Sequence, residues 1–105
     1  MNHKLSIACL QYSSTKNEKH TLETIKDLIY KALDIDAELI TLPECATSLQ
    51  KNSFLTNELA KTEDENYSLQ ILKEIAKLNS IFILIGSLPI KVDDMLVNRS
   101  FFDWT

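Results

Sequence analysis

Glu44 is the residue of this sequence best placed to do chemistry. It follows Leu39-Ile40-Thr41-Leu42-Pro43, a short apolar run closed by a proline. Proline has no N–H to give to a sheet ladder, so Pro43 predicts the end of a buried strand, and the carboxylate after it stands at the strand's exit. In open α/β sheets, ligands bind in the crevice beyond the carboxyl ends of the strands. A solvated loop acid suits the same position, and position alone favours that blander reading. Cys45 adjoins Glu44, but adjacent side chains of extended backbone point to opposite faces, so the carboxylate does not readily reach that thiol. Cys9 lies inside another apolar run, and the two cysteines form neither a CxxC pair nor a metal-ligand cluster with His3 or His20. No metal or cofactor is called for. Gly86 is the single glycine, so there is no glycine-rich phosphate loop.

The elements that must position Glu44 can be read from periodicity. Lys4 to Tyr12 is apolar on both alternating faces apart from Ser6, which predicts a strand covered on both sides, with Cys9 packed inside it. Thr15 and Glu18 have capping-box spacing for a helix over 16–34. Leu22, Ile25, Ile29 and Ala32 make its buried stripe, widened by Leu28 and Leu33, while Glu23, Lys26, Asp27 and Lys31 form a solvated face. Residues 34–37 then turn the chain into the strand before Glu44, and this order calls for a right-handed parallel crossover.

Past Glu44 the pattern is weaker, although Phe54, Leu55, Leu59 and Ala60 fit one short helix. Thr62 and Glu65 repeat the capping-box spacing before a second amphipathic helix, with Leu69, Leu72, Ile75 and Ala76 buried, Leu78 beside them, and an end near Asn79. Ile81 to Ile85 predicts a third buried strand. Gly86 then lets the backbone turn or approach a neighbour without a Cβ. Lys91 to Asp94 is turn-like and Met95 to Phe102 is a further strand, with Asn98 and Ser100 on one face and Arg99 and Phe101 on the other. Asn98 reads as a structural hydrogen-bonding residue.

Composition narrows the classes. The 105 residues are 45% hydrophobic and 25% charged, as in one ordinary globular domain with no repeats or linkers. A domain of this length buries roughly 60–65% of its unfolded surface, enough for one core. A net charge of −4 and the absence of a basic stripe argue against nucleic acid or an anionic membrane as partner. No apolar run approaches the roughly 20 residues of a membrane span, and Leu5 to Leu10 is too short for a signal segment, so the expected location is cytoplasmic, with reduced thiols.

The order of an N-terminal strand ending in Gln11, a long helix, Leu-Ile-Thr-Leu-Pro-Glu at 39–44, a second helix, Ile-Leu-Ile-Gly-Ser at 83–87 and Val-Asn-Arg-Ser-Phe at 97–101 resembles the first part of the nitrilase-like carbon-nitrogen hydrolase superfamily. It resembles the amidase-like branch more than the true nitrilases. The resemblance implies an α/β fold: one side, a sheet with two covering helices, of a four-layer αββα sandwich, here truncated. It also implies a Glu, Lys and Cys mechanism on a small amide or nitrile. A carboxylate takes the proton of a thiol, lysine stabilises the developing charge, and water activated by the same acid releases the acyl group.

Glu44 matches the base of that mechanism. The matching lysine and cysteine fall past Thr105, so the chain alone is expected to be inactive. Its uncovered sheet face calls for self-association or a partner. The other expectation from this pattern is a non-catalytic assembly or regulatory module that keeps half of the fold. Alternating strands and helices also fit a small flavodoxin-like binding domain, disfavoured without a phosphate loop. A ferredoxin-like domain would need a hairpin between Glu44 and the second helix.

Overall fold

The computed structural model describes residues 4–44, 46–47, 60–93 and 95–103. Among these residues the order is β1 (Ile7–Cys9), α1 (Glu18–Asp34), β2 (Leu39–Leu42), α2 (Tyr67–Asn79), β3 (Phe82–Val92) and β4 (Met95–Asp103). They build a four-stranded sheet in the order β1-β2-β3-β4. The first three strands are parallel, joined through α1 and α2, and β4 folds back antiparallel on β3. A flavodoxin-like sheet has its first strand inside the second, which this order contradicts.

Both helices form as their apolar spacing demands. The buried positions of α1 are Thr21, Leu22, Ile25, Ile29 and Ala32, and those of α2 are Ser68, Leu69, Leu72, Ile75 and Ala76. Of these, Ile25, Ile29 and Ala32 of α1 and Leu69, Leu72, Ile75 and Ala76 of α2 pack with Ile40, Leu42, Ile83, Ile85, Leu88 and Ile90 into one core. Both helices therefore cover the same face of the sheet. Leu78, expected beside the stripe, is instead 74% exposed.

The caps differ from the expected boxes. Asn17, not Thr15, caps α1 by accepting from the His20 amide, because its shorter reach from the residue next to the helix suits the first free N–H groups. Glu18 instead accepts from the Ser68 hydroxyl at 2.6 Å and ties the first turns of the two helices together. The Glu65 amide does donate to the Thr62 hydroxyl as in a box, while that hydroxyl donates to the Glu65 carboxylate, but around a turn that precedes α2, whose cap is Asn66 accepting from the Leu69 amide. Asn79 is the last helical residue, and the left-handed position after it belongs to Ser80, at φ 52°.

β1 departs most from expectation. Among the described residues it pairs only with β2, at an edge of the sheet, and it spans three residues rather than the run from Lys4 to Tyr12. Ala8, Leu10 and Tyr12 pack toward the core, whereas Ile7 is 52% exposed and Cys9 is an exposed free thiol. Cys9 is thus not packed inside a doubly covered strand, because among the described residues no layer lies over its side of the sheet. Of the short helix expected between Ser48 and Lys61, residues 48–59 lie outside those described, while Ala60 is not helical and Lys61 instead makes an isolated parallel bridge with Ile90. Among the described residues no helix is long and apolar enough to cross a membrane.

Candidate functional site

β2 lies between two parallel neighbours, its registers running Ile40 to Ala8 on one side and to Ile83 on the other. Ile40 and Leu42 are buried and the strand stops at Leu42, as the following proline requires. Glu44 therefore emerges at the carboxyl end of an interior strand, and it is exposed. Cys45 lies outside the described residues.

The chain around Glu44 is held on both flanks. On the near side, an ideal Cβ built on Gly86 would sit 2.6 Å from the carbonyl carbon and oxygen of Pro43 and 2.7 Å from the Leu42 oxygen. Gly86 has no positive φ, so close approach, not turning, is what requires a glycine. On the far side, Ala46 is fully buried and its amide donates to the Ser87 carbonyl at 3.0 Å. Its own carbonyl accepts from the Tyr12 hydroxyl at 2.7 Å and from the Ser14 hydroxyl at 3.3 Å. Burial pushes the Tyr12 phenol well above its ordinary 10.0, so it remains a donor under ordinary conditions.

The irregularity in β3 makes this arrangement possible. Its register against β4 shifts between Ile85 and Leu88, and the buried positions change from 81, 83 and 85 to 88 and 90. Such a bulge re-aims the backbone of one strand. It places the Ser87 carbonyl within reach of the loop after Glu44. The Ser100 hydroxyl on β4 donates to the Gly86 carbonyl, fixing the bulge from the other side. Asn98 pairs with Pro89 and is exposed, so the polar side chain engaged on this face is Ser100.

Residues 6–102 match the carbon-nitrogen hydrolase family. The chain belongs to that family. It is 32% identical over 98 residues to the chloroplastic omega-amidase of Arabidopsis thaliana, a match that covers 90% of this chain and 27% of the relative. Its fold is shared with Saccharomyces cerevisiae Nit3, a member of the nitrilase superfamily, at a TM-score of 0.82 and 22% identity, over 94% of this chain and 39% of that one. It is also shared with an amidase from Nesterenkonia sp., at a TM-score of 0.77 and 20% identity, over 93% of this chain and 37% of that one. A variant of the Nesterenkonia enzyme shows covalent addition of the acetamide moiety of fluoroacetamide at its active-site cysteine. The chain thus spans roughly a third of the length of these relatives. The family settles the fold as α/β and of the nitrilase-like kind.

The sequence singled out Glu44 and Gly86. It did not single out Tyr12, Ser14 or Ser87, which meet Ala46 from positions 32 to 41 residues away in the chain. A phenol at the end of an apolar run was the one local sign, and it matched ordinary core packing equally well.

Proposed function

We propose that this chain is the part of an amidase-like carbon-nitrogen hydrolase that carries the general base, and that Glu44 is that base. One observation carries the reading: in a member of this family, a carboxylate stands directly past the proline that ends an interior parallel strand. In this reading Glu44 takes the proton from a cysteine thiol, the thiolate attacks the carbonyl carbon of a small amide, and Glu44 passes that proton to the leaving nitrogen, so the C–N bond breaks, ammonia departs and an acyl–sulfur bond remains. Glu44 then draws a proton from water, which attacks the acyl carbon and frees the acid and the thiol. Lysine and cysteine come from polypeptide other than these 105 residues. The chain alone has no hydrolase activity, and it works in the cytoplasm, where an exposed free thiol such as Cys9 stays reduced.

The test uses the chain expressed with whatever follows Thr105 in its reading frame, screened for ammonia release from short aliphatic amides and nitriles. Glu44→Gln nearly preserves shape and removes the base, so kcat should fall by about a thousandfold or more, as removal of one member of a catalytic unit does. Full retention of activity would exclude the assigned role.

A second reading, a non-catalytic assembly module, is favoured by the uncovered face of the sheet. Leu5, Ile7, Phe82, Leu84 and Phe102 are each 38–55% exposed there, and the rings of Phe82 and Phe102 stack at 5.6 Å. Lys91, the charge that strand alternation places on this face, lies toward the β3–β4 turn, so in this reading an identical chain covers the apolar part of the face across a twofold axis. A monomer at high concentration that binds no apolar dye would count against it.

A further inference from the structure

We propose that Gly86 and Tyr12 are positioning residues for Glu44, gripping the chain on either side of it. The proposal rests on the base role given to Glu44 above. The grip has two parts that share β3 as anvil. At Gly86, β3 approaches the Leu42–Pro43 backbone so closely that even a methyl group would meet three backbone atoms at 2.6–2.7 Å. Backbone cannot rotate aside as the end of a flexible side chain can. Ordinary contact begins at 3.4 Å, so an added Cβ must drive β3 and the Pro43 carbonyl apart by about 0.8 Å. That carbonyl is the peptide link to Glu44, so the push is delivered one bond from the residue.

Two residues further on, Ala46 is held by Ser87 through its N–H and by Tyr12 and Ser14 through its carbonyl. Tyr12 comes from the chain just past β1, so the corner is pinned to strands on both sides of β2. Its ring packs against the core, and its hydroxyl makes the shorter of the two side-chain bonds to that carbonyl. Glu44 itself is exposed, and its own surroundings do not hold it as a buried carboxylate would be held. Placement of its backbone is therefore what sets where the carboxylate can stand. A misplacement approaching 1 Å is enough to cost a catalysed reaction about a hundredfold.

The experiment pairs kinetics with hydrogen exchange, in the chain expressed with whatever follows Thr105. Tyr12→Phe keeps the ring and removes the hydroxyl. Gly86→Ala adds the single methyl. Each should lower kcat roughly 10–100-fold, with KM changing less than about threefold, and should speed exchange about tenfold or more in the peptide covering 42–47. Exchange in the peptide covering α2 should stay as in the parent.

Unchanged exchange at 42–47, or unchanged kcat beside an inactive Glu44→Gln, would overturn the positioning role and leave the base role standing. A rise in exchange that is equal in α2 and in 42–47 for Tyr12→Phe would mark a merely structural residue and would also overturn it. If Gly86→Ala does not fold, Tyr12→Phe decides. Full activity of Glu44→Gln would instead sink the base reading, while the exchange data would still report whether the two residues fix the corner.

Discussion

The two faces of this sheet are built from the same strands and nearly the same residue types, yet they live in different environments. On one face Ile40, Leu42, Ile83 and Ile85 are 0–4% exposed beneath α1 and α2. On the other, Ile7, Phe82, Leu84 and Phe102 are 38–52% exposed. Burial is therefore decided here by what covers a strand and not by what the strand is made of. A sheet whose strands are apolar on both faces is built for two layers, as parallel sheets generally are. The described elements supply one of those layers.

Substitutions in the 105-residue chain can break or sharpen this contrast. The largest effect belongs to the covered face. Leu72→Ala or Ile83→Ala should lower unfolding stability by about 2–5 kcal/mol, through lost transfer energy and the cavity left behind. Phe82→Ala, on the open face, should cost only about 1 kcal/mol, most of it the ring stacking with Phe102. Urea titrations of the three variants check this, and a loss of 3 kcal/mol or more at Phe82 would mean that the open face is covered in solution.

Next come the caps beneath and beside the core. Asn66 is buried and Asn17 exposed, so Asn66→Ala should cost about 1–2 kcal/mol and Asn17→Ala about 0.5–1 kcal/mol. Equal costs in the same titration would show that burial does not add to the value of a cap here. A smaller effect on folding is expected from Ile7→Lys, a change of less than about 0.5 kcal/mol at an exposed position. Sedimentation equilibrium should nevertheless show weaker self-association, and an unaltered mass distribution would remove β1 from any contact between copies.

The smallest effect is one of pH. Tyr12 has its folded-state pKa raised above 10.0 by burial. The unfolded chain then loses this proton first, so the stabilisation is fully present below about pH 10 and declines as pH rises above it. Tyr12→Phe should remove that part of the alkaline decline, seen as a flatter stability profile between pH 8 and 11. A parallel profile for the variant and the parent would show that the phenol is not held as described.

The corner at Glu44 illustrates how far local pattern reaches. Pro43 ends β2 by its own chemistry, with no help from distant residues, and the strand does stop at Leu42. Gly86 is recognisable from the sequence as a place for a turn or a close backbone approach, but its neighbour is not, because Pro43 lies 43 residues earlier and no periodicity links the two. Thr62 and Glu65 do bond, but in the turn before α2, and Thr15 and Glu18 do not bond at all; at each helix the cap is an asparagine nearer the first turn. In both cases the nearer side chain won.

By itself the sequence determined the stripes of α1 and α2, the apolar strands, the proline that ends β2 and the family order of its motifs, since each is written in the spacing of neighbouring residues. The tertiary structure alone decided that β1 lies at an edge with Cys9 exposed, that β3 bulges at Gly86 and Ser87, and that Tyr12 reaches Ala46. Those features depend on which strands become neighbours and what covers them, and backbone contacts across tens of residues leave no period in the sequence to read.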